Sequence, residues 1–254
     1  MRILIGGSGS LGKSFFKLIN KNKNIYTKLN ALRKTNLSTF KNEFKLLEDG
    51  DIFIDSMDAN DIDINFDEKI NQRANLFREY ALEHCQNKTY IYLSTCNLYK
   101  ESLVEIDESA EIKSILSPYL KMKLNSEEKI KRLCKGNYTI LRIVNIWSDL
   151  SKNSFFGDLL NAKNNNLQIK PRNNDDLVIS FAHIKDVCKI IENVILSKKF
   201  GIINISTNSF NSRKNLKALV NKESTKPILN NLGYRICSNV INWKSILDKK
   251  QELF

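Results

Sequence analysis

Tyr119 stands four residues before Lys123, a spacing that puts both side chains on one face of a helix. An ammonium so placed can stabilise a phenolate and lower the phenol's pKa. The pair could then exchange a proton with a substrate hydroxyl or carbonyl near neutral pH. Of the eight tyrosines only this one has a lysine four positions on. Taken alone, the spacing fits a packing tyrosine beside a solvated lysine better. A second candidate group lies upstream, where the apolar run Tyr90–Leu93 empties into Ser94 and Thr95, followed by Cys96 and Asn97. Open α/β sheets bind ligands at the C-terminal ends of their strands, which is where these hydroxyls would fall.

The third feature is the turn Gly6-Gly7-Ser8-Gly9-Ser10-Leu11-Gly12, between an apolar strand, Arg2–Ile5, and a helical stretch, Lys13–Asn20. Glycine here permits a tight turn, a close backbone approach to a pyrophosphate and packing of helix on strand. The helix's first amides and positive dipole end would meet the anion. Gly6, Gly9, Ser10, Leu11 and Gly12 are therefore candidate dinucleotide ligands, alongside Tyr119 and Lys123. The run from Gly7 to Ser14 also satisfies the P-loop pattern, whose lysine and serine would serve phosphates and magnesium. Asp55, after Ile52–Ile54, is the acid placed to hold such an ion in that rival reading. Counting to the end of the second strand reaches Asn30, with Arg33 and Lys34 just beyond and no acid nearby. Basic groups there suit the extra phosphate of NADP, so NADP is favoured over NAD.

The elements that must position these groups alternate along the chain. Short apolar runs at Arg2–Ile5, Ile52–Ile54, Tyr90–Ser94 and Thr139–Val144 are each followed by a longer stretch with helical spacing. Alternation of this kind predicts an α/β fold: a Rossmann-type doubly wound parallel sheet, with a small C-terminal substrate-binding cap. Gln72–Cys85 carries one apolar helical stripe. A second helix opens at Ser117-Pro118, a capping hydroxyl with proline at the first helical position, and stops at Gly136. The expected division is a dinucleotide-binding domain over 1–150 and a substrate-binding region over 151–254, interleaved with the sheet's last elements. In the latter, 161–176 has loop composition, Leu177–His183 a strand pattern and Asp186–Ser197 a helical one. Val240–Phe254 is an expected amphipathic helix.

Composition bounds the classes. Hydrophobic residues at 42% and charged residues at 27% match ordinary globular usage, so the chain should fold throughout. The net charge of +12 raises nucleic acid as a partner. The lysines are dispersed, however, with no basic block interleaved with aromatics, which argues against it. No run is long enough for a signal peptide or a membrane span, and the chain is expected to be cytoplasmic. The five cysteines, at 85, 96, 134, 188 and 237, are scattered and contain no Cys-x-x-Cys pair. They suggest neither a disulfide framework nor a metal site.

Several of these motifs together resemble the extended short-chain dehydrogenase/reductase family, the epimerase and dehydratase type that modifies nucleotide sugars. The glycine spacing is similar. So are the strand from Tyr90 to Ser94 with Tyr99 beyond it, the run Ser117-Pro118-Tyr119-Leu120-Lys121-Met122-Lys123, and Leu141-Arg142-Ile143-Val144-Asn145. Phe181-Ala182-His183-Ile184-Lys185-Asp186-Val187 extends the likeness over nearly the whole chain. The resemblance implies an NAD(P)-dependent reductase or epimerase acting on a sugar's hydroxyl or carbonyl carbon. Thr95 would orient the carbonyl, Tyr119 move the proton and Lys123 tune it. Thr95, Cys96, Asn97 and Asn145 would meet the substrate, expected to be a nucleotide sugar, and a homodimer is the expected assembly. His183 and Asp186 are expected to be structural.

The chain also departs from the family. Cys96-Asn97 replace the Asp-Glu pair that dehydratases use, which argues against dehydration. Ile179 stands where an arginine is usual, so either Arg172 substitutes for it or the substrate is not a nucleotide sugar. The competing class is a non-catalytic NADP-binding partner protein on the same fold.

Overall fold

The computed structural model describes residues 1–7, 9–21, 26–30, 35–58, 68–134, 136–148, 155–169, 174–207, 209–225 and 231–238. Along the chain run β1 (Arg2–Gly6), α1 (Ser10–Ile19), β2 (Tyr26–Asn30), α2 (Leu37–Phe44), β3 (Ile52–Asp55), α3 (Glu68–Glu83), β4 (Thr89–Thr95) and β5 (Glu105–Ile106). They continue with α4 (Pro118–Leu133), β6 (Tyr138–Ile143), β7 (Asn145–Trp147), α5 (Phe155–Asn165), β8 (Val178–His183), α6 (Ile184–Leu196), β9 (Gly201–Ile205), β10 (Phe210–Ser212), α7 (Arg213–Asn221) and β11 (Arg235–Ile236). The chain forms two compact units. One comprises Met1–Thr95, Ser114–Arg142 and Ile191–Ile203, the other Cys96–Lys113, Ile143–Ile190 and Asn204–Phe254.

The first unit is built on a six-stranded sheet in the order β2-β1-β3-β4-β6-β9. β1 pairs in parallel with β2 and β3, and β3 with β4. This is a Rossmann-type arrangement, with one strand beyond β1 where the older dinucleotide-binding order carries two. Strands buried on both faces have no polar side to show, so Ile52–Ile54 and Tyr90–Leu93 read as continuous apolar runs rather than alternating ones. Helix α1 lays Gly12, Phe15 and Ile19 against the sheet at helical spacing. Asn36 caps α2 by accepting from the Thr39 amide at 2.8 Å. That helix drives Phe40 and Phe44 into a cluster with Phe53, Phe77 and Tyr80, in which the Phe40 and Phe77 rings stack at 4.6 Å.

Two boundaries differ from expectation. Helix α1 begins at Ser10, inside the glycine run, rather than at Lys13, because Gly9 has the extended backbone of an N-cap (φ −64°, ψ 177°). The expected loop over 161–176 is helical as far as Asn165. Its asparagines and lysine face outward while Phe156 and Leu159 pack with Trp147, Ile179 and Leu216, so burial overrides composition. This cluster belongs to the second unit, whose three-stranded sheet has the order β10-β8-β7. The helix expected over Val240–Phe254 lies outside the described residues.

Gly7 is required by the fold itself. Its φ is +97°, and a Cβ on it would sit 2.2 Å from the Ser56 carbonyl oxygen. Gly7→Ala is therefore expected to lose about 2–3 kcal/mol, from the disfavoured backbone and the displaced end of β3. A lowered urea midpoint would register it; an unchanged one would remove this account of the turn.

Candidate active site

The glycine turn sits where the strand order of the sheet reverses. Gly6 ends β1 opposite Asn30 of β2 on one side and Asp55 of β3 on the other. The connections from β1 and into β3 thus leave in opposite senses, and a crevice opens at such a point beyond the strand ends. Ser56, just past β3, locks the turn: its amide and its hydroxyl both donate to the Gly6 carbonyl, at 2.9 and 2.6 Å. A Cβ on Gly12 would come within 2.6 Å of the Gly7 carbonyl oxygen, so this glycine also serves internal packing. Gly9 differs. Its backbone angles suit any residue, and a Cβ there would meet nothing within 4 Å among the described residues. As N-cap it supplies no side-chain acceptor to the first amides of α1. Donors with room above them suit a pyrophosphate, and the missing side chain widens the approach.

The P-loop alternative fits less well. Lys13 and Ser14 lie a turn into α1 rather than at its start. Asp55 is fully buried and accepts from Arg78, Tyr90 and the Met57 amide, so it is committed to protein partners.

Helix α4 brings Tyr119 and Lys123 to the same face. Ser117 accepts from the Leu120 amide at 3.3 Å and Pro118 opens the first turn, as the sequence implies. At the other end Cys134 is the C-cap and Gly136, at φ +98°, lets the chain leave. Tyr119 and Lys123 are both buried, at 6% and 4% exposure. The Lys123 ammonium lies 5.7 Å from the centre of the Tyr119 ring and 4.9 Å from that of Tyr92. It donates to the Leu93 carbonyl at 2.7 Å and pairs with the Asp58 carboxylate at 2.9 Å. An ammonium has three donors, and these two partners among the described residues engage two of them.

What fixes α4 is a polar face, not an apolar stripe. Lys123, Ser126 and Glu127 are buried beside Ile130. Glu127 accepts from Ser94 of β4 at 2.6 Å and from Arg142 of β6 at 2.6 and 3.1 Å. Ser126 accepts from Arg78 of α3 at 3.2 Å. Each contact ties the helix to a different element, and together they set its rotation, hence the place of Tyr119.

Asp58 and Arg78 complete the cluster. The Arg78 guanidinium directs Nε and Nη2 to Asp55 at 2.6 and 3.2 Å and Nη2 to Asp58 at 2.6 Å. Its Nη1 goes to Asn75 at 2.8 Å and to Ser126. Tyr90 donates to Asp55 and Tyr92 to Asp58, each at 2.7 Å. Two carboxylates thus balance two cations in a buried site. Burial works against the charge on Asp58, but Arg78 and then Lys123 outweigh it and hold the carboxyl below its ordinary range. Burial likewise opposes the Lys123 charge, and Asp58, followed by Tyr119 and Tyr92, holds the ammonium above its ordinary range. Burial and the neighbouring carboxylates push the Tyr90 and Tyr92 phenols up, so both remain donors. Sequence reasoning missed Asp58, Arg78 and Glu127. The available signal was weak: charged residues within stretches that the fold must bury.

Thr95 is the last residue of β4 and is buried. Cys96 and Asn97 open a single 3₁₀ turn in the second unit, Cys96 buried and Asn97 half-exposed. Tyr99 is buried and donates to Asn204 at 2.8 Å. Asn145, on β7, donates to the Ser180 carbonyl at 3.0 Å, which ties it to β8. His183 is buried, its ring edge-on to Trp147 at 4.4 Å. Arg33, Lys34 and Arg172 lie outside the described residues, as does the side chain of Asn30.

No protein-family model matches the chain, and no curated protein matches it. Solved structures do. A dTDP-4-dehydrorhamnose reductase from Clostridium acetobutylicum is 20% identical, with 87% of this chain and 80% of that one covered at a TM-score of 0.71. A UDP-glucose 4-epimerase from Thermus thermophilus, solved with NAD, is 13% identical, covering 93% and 90% at 0.74. A UDP-glucuronic acid 4-epimerase from Bacillus cereus, solved with a fluorinated UDP-sugar and NAD, is 17% identical, covering 100% and 95% at 0.74. The shared fold therefore spans nearly the whole chain.

Proposed function

We propose that this chain is an extended short-chain dehydrogenase/reductase: an NAD(P)-dependent reductase or epimerase acting on a hydroxyl or carbonyl carbon of a nucleotide-linked sugar. The observation that carries the reading is Gly9, a glycine at the sheet's switch point and at a helix N-terminus whose lack of a side chain no contact among the described residues explains. The similar structures solved with NAD, and with a UDP-sugar in one case, support it.

In this reading Gly6, Gly9, Ser10, Leu11 and Gly12 hold the pyrophosphate. Arg33 and Lys34 favour the additional phosphate of NADP. The cofactor, when bound, supplies or accepts a hydride at the sugar carbon. The Tyr119 hydroxyl gives a proton to the substrate oxygen on reduction, leaving a phenolate, and the Tyr119 phenolate takes the substrate's proton on oxidation. The Lys123 ammonium stabilises the phenolate formed in between, while Asp58 and the Leu93 carbonyl keep that ammonium beneath the ring. The Thr95 hydroxyl orients the reacting oxygen. Asn145, Asn97, Cys96 and Arg172 contact the rest of the sugar nucleotide, and a homodimer is the working assembly.

Titration with NADPH and NADH, read by nicotinamide fluorescence, tests the foundation: saturable uptake of at least one is expected, and uptake of neither by folded protein would end the proposal. Gly9→Ala sharpens the test. It should change stability by less than about 1 kcal/mol, the scale of an N-cap replacement. It should also weaken coenzyme binding by about tenfold or more, a loss of roughly 1.4 kcal/mol at the anion. Equal affinities of the two proteins would show that nothing approaches the backbone there.

A further inference from the structure

The thiols of Cys85 and Cys134 face each other with their sulfurs 3.4 Å apart, though 49 positions separate them in sequence. Both are free, and each retains only 6–7% exposure. Cys85 lies just beyond the C-terminal end of α3, and Cys134 is the C-cap of α4. The packing of these two helices is what creates the pair. We propose that Cys85 and Cys134 form a reversible redox site, a dithiol that a hydroperoxide converts to a disulfide stapling the C-terminal ends of α3 and α4.

The geometry favours this over metal capture. A disulfide needs sulfurs about 2.05 Å apart, so the pair must close by about 1.3 Å. A two-coordinate metal would instead have to push the sulfurs apart. No cluster of three or more ligating side chains occurs among the described residues. The pair is also chemically asymmetric. The S–H of Cys134 directed at the Cys85 sulfur favours a thiolate there, against burial, and brings Cys85 down to about 7. Cys134, donating that proton and buried, is pushed up. When protonated, Cys85 instead donates to the Leu82 carbonyl at 3.2 Å.

The chemistry balances with the peroxide as oxidant. The Cys85 thiolate attacks one peroxide oxygen, forming an S–O bond while the O–O bond breaks and hydroxide leaves. Cys134 then loses its proton, and its sulfur attacks the sulfenic sulfur: an S–S bond forms and the S–O bond breaks. Two thiols are oxidised and one hydrogen peroxide is reduced to two waters. The staple would join the helix that carries Arg78 to the helix that carries Lys123.

This inference rests on sulfur geometry and stands apart from the dinucleotide reading. The test treats the folded full-length chain with a small excess of hydrogen peroxide, then alkylates it under denaturing conditions and maps the peptides. Free thiols should fall from five to three, with a single cross-link between the Cys85 and Cys134 peptides that dithiothreitol reverses. In Cys134→Ser the same treatment should leave Cys85 as a sulfenic acid that dimedone traps. Retention of all five thiols, a cross-link between any other two cysteines, or the same pairwise thiol loss in both Cys85→Ser and Cys134→Ser would overturn the assignment.

Discussion

Tyr119→Phe should lower turnover by about 10²–10⁴-fold, the range a positioned acid or base contributes, while coenzyme affinity stays within about twofold of the parent. The substitution removes one oxygen and leaves the ring. The packing of Tyr119 above the Lys123 ammonium, 5.7 Å away, therefore survives, and the buried face of α4 is unchanged. A loss confined to kcat would place the hydroxyl in the transition state rather than in binding. The assay is hydride transfer, followed by nicotinamide absorbance, across a panel of keto-sugars linked to nucleotides. Activity that persists in Tyr119→Phe would refute the proton-transfer role. Coenzyme binding without turnover in the parent chain, across the whole panel, would point instead to a non-catalytic dinucleotide-binding protein.

Arg78→Met carries the largest expected cost in stability, about 3–5 kcal/mol, because it breaks a buried charge network from its centre. All five hydrogen bonds of the guanidinium are lost, and Asp55 and Asp58 then share a buried site with one cation, Lys123. The pH dependence gives the prediction a sign. In the parent chain Asp58 is held below its unfolded pKa of about 3.9, so the unfolded state binds more protons between the two values. That contribution is complete above about pH 4 and is lost as the pH falls through the folded value. In Arg78→Met, desolvation is no longer offset by the guanidinium, and a carboxyl pKa in the folded state should rise above its unfolded value. The folded variant then binds the extra proton and gains stability as the pH falls through that raised value. The gap between the two proteins should therefore narrow toward acid. Urea midpoints at several pH values read both effects, and a gap that is small or widens toward acid would contradict the network as described.

Helix α4 shows where reading the sequence stopped. Its start was legible because capping is local: a serine, then a proline, satisfies the first amides within four residues. The spacing of Tyr119 and Lys123 was legible for the same reason. Their electrostatic setting was not. Lys123 was expected beside Tyr119 as a tuner of its pKa, and it is in addition the partner of Asp58, which precedes it by 65 positions in sequence. Glu127 looks in sequence like an ordinary surface charge, yet it is buried and paired with Arg142. Buried ion pairs have no periodicity to betray them. The loop expected over 161–176 erred in the same direction, since composition cannot report that Leu159 finds Trp147 and Leu216.

What the sequence determined by itself is whatever depends on near neighbours and on repeat length. The alternation of strand and helix predicts the parallel sheet, and the glycine run predicts a strand-turn-helix. The hydroxyls at the end of β4 and the tyrosine-lysine spacing belong to the same class of local signal. Only the tertiary structure decided which glycines the fold consumes and which it leaves open, which carboxylate holds Lys123, and that two distant cysteines meet. The reason is physical: period and capping act over a few residues, whereas burial, charge pairing and close approach are settled when elements far apart in sequence pack together.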